Sequence, residues 1–201
     1  LSLARLMKRR GDVAAAHAAF DGFIDVYNTA ASALMSRDML AVAIACRELG
    51  AGNPALFRDA LRALDRAIGL DPANMDARVA LGELFLAKYN GSEAQQTFDE
   101  ALRINASFPA ALVGAAARLV FDGQPGADSL LAAALAVSPE FVPARVMRAH
   151  GMIDVERYAD AAREAGVPLQ VNALGSVLTP FFATERVRDY DSAVKADTAA
   201  Y

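Results

Sequence analysis

Few side chains in this 201-residue chain could do chemistry, and their spacing keeps them apart. The two histidines, His17 and His150, fall far from each other in the sequence. Cys46 is the single cysteine, so neither an intrachain disulfide nor a thiolate-rich metal site can form. It reads as a small apolar side chain within a helix. Acidic pairs such as Asp99 and Glu100 are adjacent, and neighbours in a helix point in different directions. There is no HExxH, GxSxG, Walker A or GxGxxG motif. Catalysis needs a converging acid, base and nucleophile, so no catalytic residue, metal or cofactor is expected. Lys8-Arg9-Arg10 is the one basic cluster, and it reads as a helix C-terminus closed by Gly11 as a left-handed cap. The net charge of −4 comes from 20 basic and 24 acidic residues, interspersed along the chain. No basic stripe for a phosphate backbone results, and nucleic acid is not an expected partner.

The elements that would position these residues announce themselves by period. Leu70, Ile104, Val137 and Val171 stand 34, 33 and 34 residues apart. Each precedes a turn-forming pair: Asp71-Pro72, Asn105-Ala106, Ser138-Pro139 and Asn172-Ala173. A period of this length is the mark of a stacked helical array. Close to a quarter of the chain is alanine, the best helix former, which favours an all-α fold. An uncharged apolar run such as Leu130 to Val137, which none exceeds, is far below the ~18 residues of a membrane span. Nothing reads as a signal peptide, though a chain opening on Leu1 leads us to expect an upstream segment.

The clearest unit runs from Met75 to Ile104. Leu81, Leu84 and Phe85 follow helical spacing, Tyr89-Asn90-Gly91 breaks the helix, and Ala94, Phe98, Ala101 and Leu102 line a second one. Gly82 and Ala94 are the small residues expected where the two helices cross. The pattern Leu81-Gly82-x-x-Phe85, then Ala94-x-x-x-Phe98 and Ala101, resembles the tetratricopeptide repeat. Arg78 stands in the slot where that family often has tryptophan, and Pro72 fills the terminal proline slot of the preceding unit.

The resemblance implies a right-handed α-α solenoid of five to six helix pairs, over residues 1–28, 33–72, 75–106, 109–139, 142–173 and 176–201. Two irregularities interrupt it. From Val26 to Leu70 the step is 44 residues, which places about ten extra residues there. Near the other end, Arg148 occupies a leucine slot, while Gly166 and Pro168 predict an early helix end near Ala165. Thr179-Pro180 reads as the cap and first-turn proline of one more helix through Arg188, or of a polar capping helix.

In this family the first helix of each pair lines the concave face. Carried onto this sequence, the face comprises Val79, Glu83 and Leu86, then Val113, Ala117 and Val120, then Val146 and His150, with Asp76, Ala110, Pro143 and Ile153 beside them. Val79, Val113 and Val146 form an apolar ladder, and Glu83 and His150 are its polar points. A mostly apolar groove suits a hydrophobic peptide or an amphipathic helix. The resemblance therefore implies a non-catalytic scaffold that binds protein, with neither nucleic acid nor membrane as partner. Two other readings stay open: the repeat region of a larger bacterial enzyme, such as a peptidase, or an array that self-associates through its ends. A lone cysteine fits the cytoplasm without excluding the periplasm.

Overall fold

The computed structural model describes residues 1–50, 53–154, 157–168, 170–174, 177–181, 183, 185–188 and 190–195. Helices α1 (Ser2–Arg9), α2 (Val13–Ala30), α3 (Ser36–Leu49), α4 (Pro54–Leu70), α5 (Met75–Leu86), α6 (Gly91–Ile104), α7 (Pro109–Phe121), α8 (Ala127–Val137), α9 (Val142–Asp154) and α10 (Tyr158–Ala165) follow in order. Strands β1 (Gln170–Leu174) and β2 (Val177–Phe181) and the short α11 (Tyr190–Ala193) complete them. The chain divides into two compact units, Leu1–Ala127 and Asp128–Tyr201.

The 34-residue landmarks are helix ends. Leu70, Ile104 and Val137 are the last residues of α4, α6 and α8, and all three are about half exposed. The turns behind them repeat in detail. The carbonyls of Asp71, Asn105 and Ser138 accept from the N–H three residues on, at 3.1, 3.1 and 3.0 Å. In two of them the side chain also accepts, from Ala73 N–H at 3.0 Å and Ser107 N–H at 2.9 Å. Asn and Asp are favoured there because their side chains make such local bonds. The period is thus written in turn chemistry rather than in core side chains.

In the first unit, α1 and α2 enclose Ala4, Ala16 and Phe20 together with Ala45 of α3. Helices α3, α4 and α5 meet over Met39, Val42, Ala43, Cys46, Ala60, Ala63, Leu64 and Leu84. Next along the chain, Phe98 of α6 is completely buried with Val79, Ala94, Ala101 and Ala111. A β-carbon on Gly82 of α5 would stand 2.5 Å from the Phe98 ring, so the expected close crossing is there. Arg78, in the tryptophan slot, is held by Glu100 Oε2 at 3.0 Å and the Pro72 carbonyl at 2.8 Å. Its long stem and paired head replace the ring.

The 44-residue step is absorbed by longer helices. Helix α2 runs ten residues past Phe20, whereas α4 and α6 run six past the equivalent Leu64 and Phe98. Helix α3 has 14 residues against 12 in α5. Helix α4 opens six residues before Ala60, while α6 opens three before Ala94. Helix α4 opens with Pro54 at the first helical position, and Asn53 Oδ1 accepts from Ala55 N–H at 2.9 Å, a proline and a cap that favour a helix start.

In the second unit α9 packs on α10. Arg148 is accommodated in its leucine slot by an ion pair with Glu164 of α10, and Arg145 Nε donates to the Glu164 carbonyl at 2.9 Å. Helix α10 ends at Ala165 with Gly166 at φ +73°, where the sequence places the break. Among the described residues the helical repeat does not resume. Val171 lies in β1, and Thr179-Pro180 lies in β2 instead of opening a helix. The strands pair antiparallel with Asn172 opposite Thr179 and Leu174 opposite Val177. The residues of both strands include β-branched Val171, Val177 and Thr179, which favour extended structure. Residues 185–188, where the expected helix would end, are also non-helical. The expected partner helix from Asp191 onward is α11, confined to Tyr190–Ala193 among the described residues.

Candidate protein-binding surface

The first helices of the first unit supply its uncovered face. Helix α5 packs beside α3 and α7 as well as against its own partner α6. On α7, Ala111, Leu112, Gly114 and Ala116 are buried, while Val113 and Ala117 are half-buried and Val120 is 59% exposed. The last three follow i, i+4, i+7 spacing, so they share one face turned from the core. Glu83 of α5 is exposed, and Leu86 is half-buried, packed against the Phe98 cluster.

Val79 is different. It is only 7% exposed, closed over by Phe98, Ala101 and Ala111, and so cannot touch a partner. The ladder of three valines is therefore not continuous: Val79 is core, Val113 is half-buried, and Val146 is 44% exposed within the second unit. His150 is exposed on α9, one turn beyond Val146. Ala80 and Met147, one position beyond Val79 and Val146, are half-buried, and Gly114 is buried.

Glu83 is not a free polar point. Its Oε2 accepts from Arg47 Nη1 at 2.6 Å, an ion pair that joins α3 to α5. Arg47 borders a pocket of about 170 Å³ at the end of the lengthened α3–α4 hairpin. Cys46 and Arg47 come from the last turn of α3, with Gly50 just beyond; Phe57 comes from the first turn of α4; Leu84, Ala87 and Lys88 come from the end of α5. Lys88 Nζ stands 5.0 Å from the centre of the Phe57 ring, within cation–π range. Burial pushes the Cys46 thiol up to about 11, and the negative charge of Asp59 adds to this. The thiol is thus a neutral apolar group in the pocket wall at physiological pH.

The one signal of this pocket in the sequence is the 44-residue step, since Gly50 and Phe57 both belong to the lengthened hairpin. Several other charged groups hold helices together. Glu100 holds Arg78, and Lys8 and Arg5 pair with Glu48 of α3 at 2.8 and 3.4 Å. Burial opposes ionisation of Glu48, but Lys8, Arg5 and Arg47 together hold its carboxyl below the usual range. The Lys8 cluster therefore docks α1 on α3 besides ending α1 before Gly11, which has φ +83°. Among the described residues no group of His, Cys, Asp and Glu is placed to hold a metal ion. No described helix is long and apolar enough to cross a membrane.

Residues 56–119 match the tetratricopeptide repeat family. The fold is similar to that of a thermophilic tetratricopeptide repeat protein of Thermus thermophilus, at 17% identity and TM-score 0.64, covering 83% of this chain and 86% of that one. It is also similar to a tetratricopeptide repeat protein of Parabacteroides merdae, at 18% identity and TM-score 0.59, covering 82% and 61%. A 58-residue stretch is 48% identical to a glutamate-1-semialdehyde 2,1-aminomutase of Myxococcus xanthus, and 48 residues are 46% identical to the enzyme so named in Desulfotalea psychrophila. The matched stretches amount to 13% and 11% of those enzymes' lengths. Residues 56–119 thus carry the tetratricopeptide repeat pattern, within a helix-pair fold similar to that of tetratricopeptide repeat proteins.

Proposed function

We propose that the chain is a non-catalytic scaffold that holds a peptide or helix of a partner protein against the first-helix face of its first unit. The observation that carries this is the stripe Val113, Ala117 and Val120 on α7, half-buried to exposed, on a helix that packs beside α5. An apolar stripe with a charged border is the complement of an amphipathic helix. Rigid helix pairs present it already formed, so little ordering entropy is lost on the receptor side. Val146 and His150 on the second unit offer a similar uncovered face on α9. Capture of partner proteins from a lysate by Val113→Glu and Val120→Glu variants tests the reading. Both should lose the captured band while far-ultraviolet helicity is unchanged; undiminished capture by Val120→Glu, a fully surface change, overturns it.

A second reading is that the repeats belong to a larger bacterial enzyme. The 58-residue stretch shared at 48% identity supports it. The full-length gene product would then consume glutamate-1-semialdehyde, and a purified product without that turnover counts against it.

A further inference from the structure

The pocket at the end of the α3–α4 hairpin combines three features that the face of α5 and α7 lacks. It has an apolar interior from Leu84, Phe57, Ala87 and the Cys46 thiol, a cationic rim from Lys88 and Arg47, and an origin in the lengthened hairpin. Its volume of about 170 Å³ is enough for one side chain, since a cavity of roughly 150 Å³ admits a benzene-sized group. The two cations differ. Glu83 already occupies one edge of the Arg47 guanidinium, whereas Lys88 has the Phe57 ring as its contact and no ion pair among the described residues. Asp59 is the other acidic group felt at the pocket, through Cys46. Filling the interior with an apolar group would strip water from around the Lys88 ammonium and strengthen its attraction for a carboxylate placed at the rim.

We propose that this pocket takes a single leucine-sized side chain of a partner protein segment, with acidic residues flanking it that meet Lys88. The proposal rests on the scaffold reading and adds a selective subsite to it. Acidic flanks would be chosen over basic ones because Lys88 and Arg47 repel the latter, so discrimination comes from the disfavoured case as much as from the favoured one.

The test uses the whole chain with the acetylated, amidated peptide Glu-Glu-Leu-Glu-Ala, beside Lys-Lys-Leu-Lys-Ala and Glu-Glu-Ala-Glu-Ala. Binding is read from amide shifts of Cys46, Arg47, Gly50, Ala87 and Lys88 in ¹H–¹⁵N spectra. A second readout is the rate at which iodoacetamide alkylates Cys46, the chain's only cysteine. The acidic leucine peptide should shift these amides and slow alkylation, and the other two should do neither. Ala87→Phe, an exposed position at the pocket edge, should abolish the response by plugging the space. Lys88→Glu should weaken the acidic peptide by roughly two- to fivefold, the range for one partly exposed ion pair. Silent amides, equal response to the basic peptide, or an undiminished response in Ala87→Phe would overturn the proposal. So would hexanoate alone binding as tightly as the peptide, since the pocket would then take a free acid rather than a protein segment. The two readings fail separately: partner capture lost in Val113→Glu with silent pocket amides keeps the scaffold and removes the subsite.

Discussion

Gly114 of α7 stands so close to Phe98 of α6 that a β-carbon on it would overlap the ring at Cε1. Gly82 of α5 approaches the same ring, where an added β-carbon would lie 2.5 Å away. One completely buried phenylalanine is therefore clamped between the first helix of its own repeat and that of the next. This contact sets how near α5 and α7 can come, and so shapes the face proposed to bind a partner.

Adding a methyl group at either glycine must push helix or ring aside. Gly114→Ala and Gly82→Ala should each lose about 1–3 kcal/mol of stability, the usual cost of overpacking. Phe98→Leu should suppress much of the Gly114→Ala penalty, because the two changes share one space. Urea titration of the double-mutant cycle reads this directly. Strict additivity would mean that the ring is not what limits the approach.

Asn74 links three helices. Its Oδ1 caps α5 by accepting from Ala77 N–H at 2.9 Å, and its Nδ2 donates to Ser36 Oγ at 2.8 Å. The buried Ser36 hydroxyl in turn donates to the Ala67 carbonyl at 2.7 Å. Asn74→Ala should cost about 1–3 kcal/mol, from the lost cap and a buried hydroxyl left short of a donor. Asn74→Asp keeps the capping oxygen but puts an acceptor where the donor to Ser36 stood, so its thermal midpoint should fall between those of the wild type and Asn74→Ala. A midpoint equal to that of Asn74→Ala would remove the cap from this account.

Cys46 predicts an alkaline limit. Its thiol is raised by burial from the ordinary 9.0 to about 11, so the unfolded chain releases this proton at lower pH than the folded one. The stability contributed by the neutral thiol is fully present below about 9 and is lost as pH rises through about 11. Each pH unit within that window should cost ~1.4 kcal/mol from this group. Cys46→Ala should flatten the slope between pH 9 and 11. An unchanged slope in that variant would place the alkaline sensitivity elsewhere.

Tyr89 ends α5 with φ +59°, in the left-handed region, and its side chain is 85% exposed. Asn90 N–H reaches back to the Phe85 carbonyl at 3.0 Å across this turn. The ring's one aromatic neighbour among the described residues is Phe121, at 5.8 Å between centroids. Tyr89→Ala and Tyr89→Gly both remove that contact, but only glycine removes the backbone penalty. The glycine variant should be the more stable of the two by about 1 kcal/mol. Calorimetry that ranks alanine first would show that the turn relaxes out of the left-handed conformation.

Much of the fold was legible because it rests on local rules. Tyr89-Asn90-Gly91 falls in the break between α5 and α6, and Gly166 ends α10 as expected. Gly82 and Ala94 mark a close crossing, since only small residues let backbones approach. The 34-residue step was misleading at Val171, where the same spacing and a similar Asn-Ala pair sit in a strand. Spacing alone does not say that a helix lies behind it, and β-branched residues prevailed once α10 had ended.

The candidate surface was legible only in part, for a reason that Val79 and Val120 show well. Both fall on first-helix faces by sequence, yet one is 7% exposed and the other 59%. The pattern along a helix says which residues share a side, but exposure depends on what neighbouring helices close over that side. Val79 is covered by Phe98 and Ala111, which lie on α6 and α7. By itself the sequence determined the helix pairs, their caps, their turns and their crossing points, all set by residues within a turn or two of one another. Tertiary packing decided which valines remain uncovered, that Arg47 pairs with Glu83, and that a pocket forms between Cys46, Phe57 and Lys88. Those features join residues from three helices, and no short-range propensity encodes them.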